Sequence, residues 1–490
     1  MRTYIPPLRC KIAYRCITYS CGHKKQSLGI QIIYTTTYRH PHLYDLEKER
    51  VSMEILEWIN ENIVWGIPVL ILFAGSGIIF TIRTRCLQIL HFPTIIKRTL
   101  LTKQPEADGK KVSPFRTLTA ALGATVGTGN IIAIGSAIAF GGAGAIFWMW
   151  ISALLGMATS FAENYLGAKY RTVQSDGLTG GVPFAYIKKA FGGKKLGAFF
   201  AGMFAVCCIG ASFGIGNMAQ VNSASMALQN CLGVPLWVSG ILCAAVIAAI
   251  APGGIHRLSK VTSWVIPIAA GGYLLGCLAV IIMNIENVPS VFARIFTEAF
   301  SFKAIGGGTV GVVMLEAMKW GVKRGVFSNE AGLGSSVMIN ANSSADQHHT
   351  QGMWAMLSVF IDTIIICTMT ALCILSSGAD QKSSVGFDMA LIAFQDGLGD
   401  FAGAFLSIAT FIFAITTVTG WWIYGRSCFV YLFTKKWIGV YLAIFIVTAF
   451  VGAVIQATVV WDVSDLFNGL MAIPNLLAII LLRKEVKADI

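Results

Sequence analysis

The chain has 490 residues, of which 55% are hydrophobic and only 12% are charged, and its mean hydropathy is +0.69. Soluble domains carry about 25% charged residues, so this composition excludes an ordinary soluble protein and indicates a polytopic membrane protein. The apolar stretches run continuously for roughly 20 residues, the length of a spanning helix, and do not alternate as the strands of a barrel do. We therefore assign most of the net charge of +13 to cytoplasmic loops and not to a nucleic-acid surface.

Residues 1–52 differ from the rest of the chain. They contain nine Lys and Arg against three acidic residues and show no convincing hydrophobic periodicity. Met53 opens the acidic segment MEILEW, which suits an external N-terminus. Two interpretations of residues 1–52 remain. They are either translated upstream sequence that precedes a true start at Met53 or a genuine disordered extension of the protein. We expect the first, and we expect the intact mass of natively expressed protein to match a start at Met53.

Eleven apolar stretches predict membrane-spanning helices, at about 62–82, 117–140, 144–168, 197–222, 235–251, 262–283, 306–327, 353–376, 401–425, 437–459 and 465–482. If the segment before the first span is outside, the inside loops hold 25 Lys and Arg, three of them in 319–351. The outside segments from residue 53 onward hold three, Arg294, Lys303 and Lys382. Basic residues favour the cytoplasmic side, so we expect a cytoplasmic C-terminus and a location in the inner (plasma) membrane.

The second span is interrupted at its centre. Gly127, Thr128, Gly129 and Asn130 stand where a plain lipid-spanning helix would be apolar. Broken backbone at that depth is tolerated where it lines a protein cavity. Small residues such as Gly123 and Gly127 also permit close helix packing, which is the alternative explanation.

The ten spans after the leading helix at 62–82 divide into two sets of five, residues 117–283 and 306–482. The first span of each set is rich in glycine, with a second cluster at Gly306, Gly307, Gly308 and Gly311. An odd number of spans makes the two halves enter the membrane from opposite sides. Matched interruptions in inverted halves are typical of a transporter's midplane binding site.

Several motifs resemble the sodium:alanine/glycine symporter (AGCS) family, in the family's order from about Met53 to the end. They are LTAALGATVGTGNII at 118–132, GGAGAIFWMW at 141–150, GMAT at 156–159 with Glu163, GIGNMAQVN at 214–222, RGVFSNEAGLGS at 324–335, and Gly420-Trp421 with Tyr424-Gly425. This resemblance implies an all-helical LeuT-like fold with two inverted five-helix repeats and one leading helix. It also implies sodium-driven alternating access with alanine or glycine as the usual cargo.

The resemblance implies the site residues as well. Thr128, Gly129 and Asn130 are expected to contact the substrate, together with Gln220 from the fourth span and Thr417 and Trp421 from the ninth. Backbone N–H groups and the dipole at the start of the second half-helix favour the substrate carboxylate.

Sodium is expected near the carbonyls of Gly123 and Val126, with the hydroxyls of Thr416 and Thr417 completing the site. Thr419 offers another oxygen, and the alternative for these threonines is bonding back to their own helix. Arg426 stands where relatives often carry an acid, so an ion pair at the inner gate is expected to differ from theirs.

Three acids fall in or near the spans, Glu163, Glu316 and Asp362. Ionisable residues at membrane depth are candidates for function. Each is either a proton site or a structural acid, and we favour the structural interpretation because the family's usual ion is sodium. Glu330 is expected to brace the inner gate loop.

An enzyme is disfavoured because no Gly-Lys-Ser/Thr, GxSxG or HExxH motif is present. A channel is disfavoured because the chain carries one asymmetric site. Glutamine or serine as cargo, and protons as the coupling ion, stay open.

Overall fold

The computed structural model describes residues 55–56, 58–102, 111–173, 179–180, 182–192, 194–301, 312–345, 347–455 and 457–487. The segment 1–52 and the glycine cluster of 306–311 lie outside the described residues. The described residues fall within one compact unit, Ser52–Ile490.

The described part of the chain is helical apart from one short strand pair. The α-helices are α1 Ile67–Arg83, α2 Leu87–Leu90, α3 Phe92–Ile96, α4 Pro114–Thr125, α5 Ile132–Gly141, α6 Gly144–Lys169, α7 Phe184–Ala190, α8 Lys194–Phe213, α9 Ala219–Leu232, α10 Leu236–Ile250, α11 Gly254–Met283, α12 Val288–Ala299, α13 Val312–Asn329, α14 Val337–Asn340, α15 His348–Val359, α16 Thr368–Ser376, α17 Gly386–Leu398, α18 Phe401–Leu432, α19 Ile438–Val454 and α20 Ala457–Leu481. Strands β1 Thr172–Val173 and β2 Thr179–Gly180 pair antiparallel.

Shorter helical turns join or interrupt these helices. The π-helical turns are Asn60–Val64, Lys97–Leu101, Gly214–Met218 and Phe360–Cys367. The 3-10 turns are Thr128–Asn130, Ala251–Gly253, Ile285–Asn287, Ala379–Gln381, Lys435–Trp437 and Arg483–Glu485.

The number of membrane crossings is only partly settled by helix length and composition. Eight helices of the described residues are long and apolar enough to span a membrane, or nine when the bent pair α4 and α5 is included. Predicted spans 235–251 and 262–283 both fall within one of these eight, Leu236–Met283, which is 48 residues long and turns at Ala251–Gly253. The count of eleven stays a prediction.

Helix α13 corrects one assignment made from the sequence. The three basic residues counted in the inside loop 319–351 are Lys319, Lys323 and Arg324, and all three lie within this helix. They belong to no loop and cannot contribute to the charge difference between loops. With Glu316, they make α13 more polar than a plain lipid-spanning helix.

Helix α6 is the central packing element. It lies against α13, α15, α1 and α12. Its second half is buried without interruption from Met157 to Ala168, so neighbours surround it on every side. A helix that is buried all round belongs to the core of a bundle.

Two amphipathic helices, α12 and α17, were not among the predicted spans. Val291, Ile295 and Ala299 of α12 recur every fourth residue and are buried, and α12 packs on α6. Helix α17 packs against α5 and α18. Helices of 12 and 13 residues are too short to cross a bilayer.

Candidate functional site

The predicted interruption of the second span is present as a bend of 64° between Pro114–Thr125 and Thr128–Gly141. Val126 leaves the helical conformation with ψ 90°, and Gly127 is extended with φ −128° and ψ −158°. A Cβ atom at Gly127 would lie 2.6 Å from Thr417 Oγ1 and 2.8 Å from Gln220 Oε1. Only glycine therefore lets α9 and α18 place these polar atoms against the break.

Gln220 holds the start of the second half-helix. Its Oε1 accepts hydrogen bonds from the Thr128 N–H at 3.0 Å and the Thr128 hydroxyl at 2.9 Å. Its Nε2 donates to the Ile215 carbonyl at 3.1 Å, within the π-helical turn Gly214–Met218. Such π-turns alter the backbone hydrogen-bonding pattern and are common at functional sites.

Three oxygens meet on the other side of the break. The Thr417 Oγ1 atom lies 3.3 Å from the Gly123 carbonyl and 3.4 Å from the Val126 carbonyl. Both distances exceed the 2.5–3.0 Å typical of O–H···O hydrogen bonds. The three oxygens are thus grouped but only weakly bonded to one another.

The neighbouring threonines of α18 are bonded differently. The Thr416 hydroxyl donates to the carbonyls of Ile412 and Phe413, and that of Thr419 donates to the carbonyls of Ile415 and Thr416. The structure therefore brings Thr417 to the two carbonyls, whereas the hydroxyl of Thr416 is bonded within its own helix.

Asn130 connects the break to a buried carboxylate. Its Oδ1 accepts from the Gly127 N–H at 2.9 Å, and its Nδ2 donates to Asp362 Oδ1 at 2.9 Å. The other Asp362 oxygen accepts from the hydroxyls of Ser328 at 2.6 Å and Thr363 at 2.9 Å. Asp362 is fully buried, and the described side chains that donate to it, Asn130, Ser328 and Thr363, are neutral.

Two aromatic side chains cover the site. A Cβ atom at Gly129 would lie 3.0 Å from the Phe327 ring, and one at Gly216 would lie 2.3 Å from the Trp421 ring. Phe327 itself packs against Trp461 with ring centroids 5.2 Å apart. Trp421 thus rests on the π-helical turn of Gly214–Met218, one helical turn beyond Thr417.

The predicted site residues therefore meet at the break, with two exceptions. The Thr416 hydroxyl is bonded within its own helix, and the Trp421 ring lies against Gly216 of the π-helical turn. Sequence reasoning missed Phe327 and Ser328 as neighbours of the site, although both lie within the motif at 324–335. It singled out Asp362 as an acid but not as the partner of Asn130, which is 232 positions away. No periodicity or spacing in the sequence reports such a contact.

The remaining acids have separate environments. Glu163 is fully buried and accepts from Asn475 Nδ2, which also donates to the Gly332 carbonyl. Glu316 is half exposed and pairs with Lys319 at 3.2 Å. The Glu330 carboxylate accepts from the Ser335 hydroxyl at 2.6 Å, which closes the loop after α13.

Comparison with known proteins gives concordant matches. A family model described as the sodium:alanine symporter family matches residues 49–490. The sodium/alanine symporter AgcS of Methanococcus maripaludis is 39% identical over 443 residues, which cover 89% of this chain and 97% of that protein. The probable sodium/glutamine symporter GlnT of Bacillus subtilis is 35% identical over 437 residues, which cover 89% of each chain.

A solved structure supports the fold. The crystal structure of MhsT in complex with L-phenylalanine aligns with a TM-score of 0.52 at 13% identity, covering 75% of this chain and 89% of that chain. At this identity the match indicates the fold alone, which is LeuT-like.

Proposed function

Because the chain belongs to the sodium:alanine symporter family, a family of sodium-coupled transporters and not of enzymes, we propose that it carries alanine or glycine into the cell with sodium by alternating access. The observation that carries this proposal is the group of three oxygens at the break, the Gly123 and Val126 carbonyls and the Thr417 hydroxyl. Everything else about the site is arranged around that group.

The spacing of these oxygens suits a hard monovalent cation. Calcium, which is close to sodium in size, takes oxygen ligands at roughly 2.3–2.6 Å. Two ligands at right angles around such an ion lie roughly 3.3–3.7 Å apart, by geometry from the same bond lengths. The observed separations of 3.3 and 3.4 Å fall in this range. We assign Gly123, Val126 and Thr417 to the sodium site, with Thr416 as a further ligand once its hydroxyl turns.

The amino-acid carboxylate has a matching position beside Thr128. The Oε1 atom of Gln220 accepts from both the N–H and the hydroxyl of Thr128. A carboxylate oxygen makes the same two hydrogen bonds and makes them more strongly because it is charged. We propose that the substrate carboxylate takes this position and that the Gln220 amide then turns to bind the substrate itself.

The aromatic cover favours a small substrate side chain. Phe327 lies against Gly129, so little space separates its ring from the broken helix, and Trp421 lies against Gly216 of the adjacent π-helical turn. Asn130 would hold the second half-helix in place through Asp362. Glycine and alanine fit this arrangement better than a long polar side chain does.

Alternating access is the transport mechanism that two inverted five-helix repeats, 117–283 and 306–482, would perform around such a site. In the proposed orientation the segment before α1 faces outward and the C-terminus faces the cytoplasm of the cell's inner (plasma) membrane.

Uptake of radiolabelled alanine into proteoliposomes tests the function. We expect accumulation that requires an inward sodium gradient at fixed pH and membrane potential, and that is lost in Asn130→Leu. Absence of alanine and glycine uptake by the wild-type protein would contradict the proposed cargo.

The named relatives give the second candidate cargo. GlnT is a probable sodium/glutamine symporter by its name, so glutamine and serine are the competitors to compare with alanine and glycine. Uptake driven by a proton gradient in the absence of sodium would refute sodium coupling. In that case Asp362 and Glu163 become the first residues to examine, since Glu316 is only half buried and is paired with Lys319.

A further inference from the structure

Three charged side chains lie together between α13 and α20, apart from the ion site, and two of them are buried. Lys323 Nζ lies 2.7 Å from Asp465 Oδ2, and Arg324 Nη1 lies 4.0 Å from Asp465 Oδ1. The side chains of Arg324 and Asp465 are 9% and 4% exposed. Charges at membrane depth are costly and are retained where they act on a substrate or an ion.

The Arg324 guanidinium is held by aromatic rings. Its central carbon lies 5.1 Å from the Trp320 ring centroid, 5.5 Å from that of Phe327 and 5.6 Å from that of Trp461. Cation–π contacts stabilise the charge but leave the N–H groups without acceptors. Within the part of the chain that the structure describes, Arg324 Nε and Nη1 and Asp465 Oδ1 have no hydrogen-bond partner.

This cluster lies between a polar cavity and the main site. The cavity, of about 40 Å³, is lined by Glu61, Trp65, Glu316, Lys319, Trp320 and Lys323. Arg324 follows Lys323 on α13, and its guanidinium lies over Phe327, whose other neighbour is Gly129 of the broken helix. Lys323 of the cluster therefore adjoins the cavity, and Arg324 adjoins Phe327, the ring that lies against the broken helix.

The unpaired atoms match the two charged ends of an amino acid. The N–H groups of a guanidinium donate charge-assisted hydrogen bonds to a carboxylate, and a free carboxylate oxygen accepts from an ammonium group. At 4.0 Å the Arg324 and Asp465 atoms are too far apart for a mutual hydrogen bond.

We propose that Arg324 and Asp465 form an outer subsite, which receives the carboxylate and the ammonium group of an incoming zwitterionic amino acid before it passes Phe327. This inference rests on the proposed function, since it concerns the same cargo. It adds a binding position on the path and changes none of the ligands of the main site.

Kinetics distinguish a position on the path from a ligand of the main site. The substrate leaves such a subsite before the final complex forms. Loss of the subsite therefore changes the association and dissociation rates of alanine by the same factor and leaves the dissociation constant unchanged. The experiment measures Vmax/KM for sodium-driven alanine uptake in proteoliposomes, and the dissociation constant of alanine for the purified protein at saturating sodium.

We expect Arg324→Gln to lower Vmax/KM about tenfold, because the variant loses one charge-assisted hydrogen bond. The dissociation constant of alanine should stay within about twofold of wild type. Asp465→Asn, which keeps the size of the side chain, is expected to lower Vmax/KM as well. The matched control is Lys382→Gln, which removes one charge from the exposed ion pair with Asp396 and lies outside the cavity lining, and which is expected to leave both quantities unchanged.

Two results would overturn the subsite. One is an unchanged Vmax/KM in both Arg324→Gln and Asp465→Asn. The other is a dissociation constant that rises in parallel with the loss of Vmax/KM, which would assign the residues to the main site or to folding. If Arg324→Gln is unstable, Arg324→Lys keeps the charge but loses the planar fork and should show a partial loss of Vmax/KM. A wild-type protein that transports no amino acid would instead refute the proposed function.

Discussion

Thr417 is the side chain through which α18 contributes to the proposed sodium site. Among the described residues, its hydroxyl oxygen is the side-chain oxygen that lies beside both the Gly123 and Val126 carbonyls. We expect Thr417→Ala to raise the sodium concentration for half-maximal uptake about tenfold, because losing one ligand or hydrogen bond to a charged group costs about 1.5–3 kcal/mol. Thr417→Ser keeps the oxygen and should stay close to wild type. Alanine uptake measured against sodium concentration gives the answer.

Thr419→Ala is the control for this prediction. Thr419 lies on the same helix and is equally buried, but its hydroxyl is bonded to the carbonyls of Ile415 and Thr416. Its removal should leave the sodium dependence unchanged. Equal shifts in Thr417→Ala and Thr419→Ala would mean that packing of α18, and not sodium ligation, is being measured.

Asp362 holds Asn130 and therefore the second half-helix. Both of its oxygens accept hydrogen bonds, from Asn130, Ser328 and Thr363. In Asp362→Asn one acceptor becomes an NH₂ donor, so at least one of the donors now bonded to Asp362 loses its acceptor, and a buried unsatisfied group costs about 1–3 kcal/mol. We expect a lower thermal unfolding temperature and at least about a tenfold loss of alanine uptake, as one factor of ten corresponds to about 1.4 kcal/mol.

Asp396→Asn is the matched control. Asp396 pairs with Lys382 at 2.6 Å, but both side chains are about half exposed, at 45% and 53%. Exposed pairs contribute about 0–1 kcal/mol, so unfolding temperature and uptake should change little. An Asp362→Asn protein with normal stability and uptake would show that the carboxylate does not position the broken helix.

At the scale of elements, α18 packs closely against α4 because Gly420 has no side chain at the contact. A Cβ atom at Gly420 would lie 2.4 Å from Ala124 Cβ and 2.8 Å from its Cα. Gly420→Ala must therefore push the two helices apart, and overpacking of this kind costs about 1–3 kcal/mol. We expect a lower thermal unfolding temperature and a higher sodium concentration for half-maximal uptake, since the three oxygens come from α18 and from the C-terminal end of α4.

Gly403→Ala provides the comparison within the same helix. The nearest atom to a Cβ at Gly403 is 3.5 Å away, an ordinary contact. Alanine in a helix interior is favoured over glycine by roughly 0.5–1 kcal/mol, so this variant should be as stable as wild type or slightly more stable. If Gly420→Ala were as stable as Gly403→Ala and kept the same sodium dependence of uptake, the close contact between Gly420 and Ala124 would be contradicted.

The sequence predicts long apolar helices better than it predicts what lies between them. The position of the break at Gly127 follows from polar and small residues in an apolar run. Helices α12 and α17 were missed because hydropathy favours long apolar stretches and both are short and amphipathic. Arg324 was counted with the inside loop 319–351, whereas it lies within α13 with aromatic rings around its guanidinium.

For the site, too, the sequence identifies residues but not the contacts that they make. The motif at 324–335 includes Phe327 and Ser328, yet nothing in it tells which side chain faces Gly129 and which faces Asp362. That information comes from the rotation of α13 against the broken helix, and this rotation is fixed by packing against α6. Residues from a motif can be listed from the sequence, whereas their partners depend on tertiary structure.

At the scale of the whole molecule, chain segments predicted for one side of the membrane meet at one face. Arg83 at the end of α1 donates to the carbonyls of Lys484 and Val486. Lys169 at the end of α6 pairs with Glu485 at 2.6 Å. Segments predicted for the other side also meet, since Arg294 pairs with Asp380 at 2.9 Å. The alternation of predicted loops is therefore consistent with these contacts.

The orientation of the two faces is a separate prediction. Basic residues concentrate in the segments around Arg83, Lys169 and Arg483, and such segments favour the cytoplasm. In a cysteine-free background, we expect a membrane-impermeant maleimide to label Lys382→Cys in intact cells and Lys487→Cys only after permeabilisation. Both lysines are exposed, so access to the reagent is limited by the membrane alone. The reverse labelling pattern would place the C-terminus outside and invert the direction in which Arg324 and Asp465 are met by the substrate.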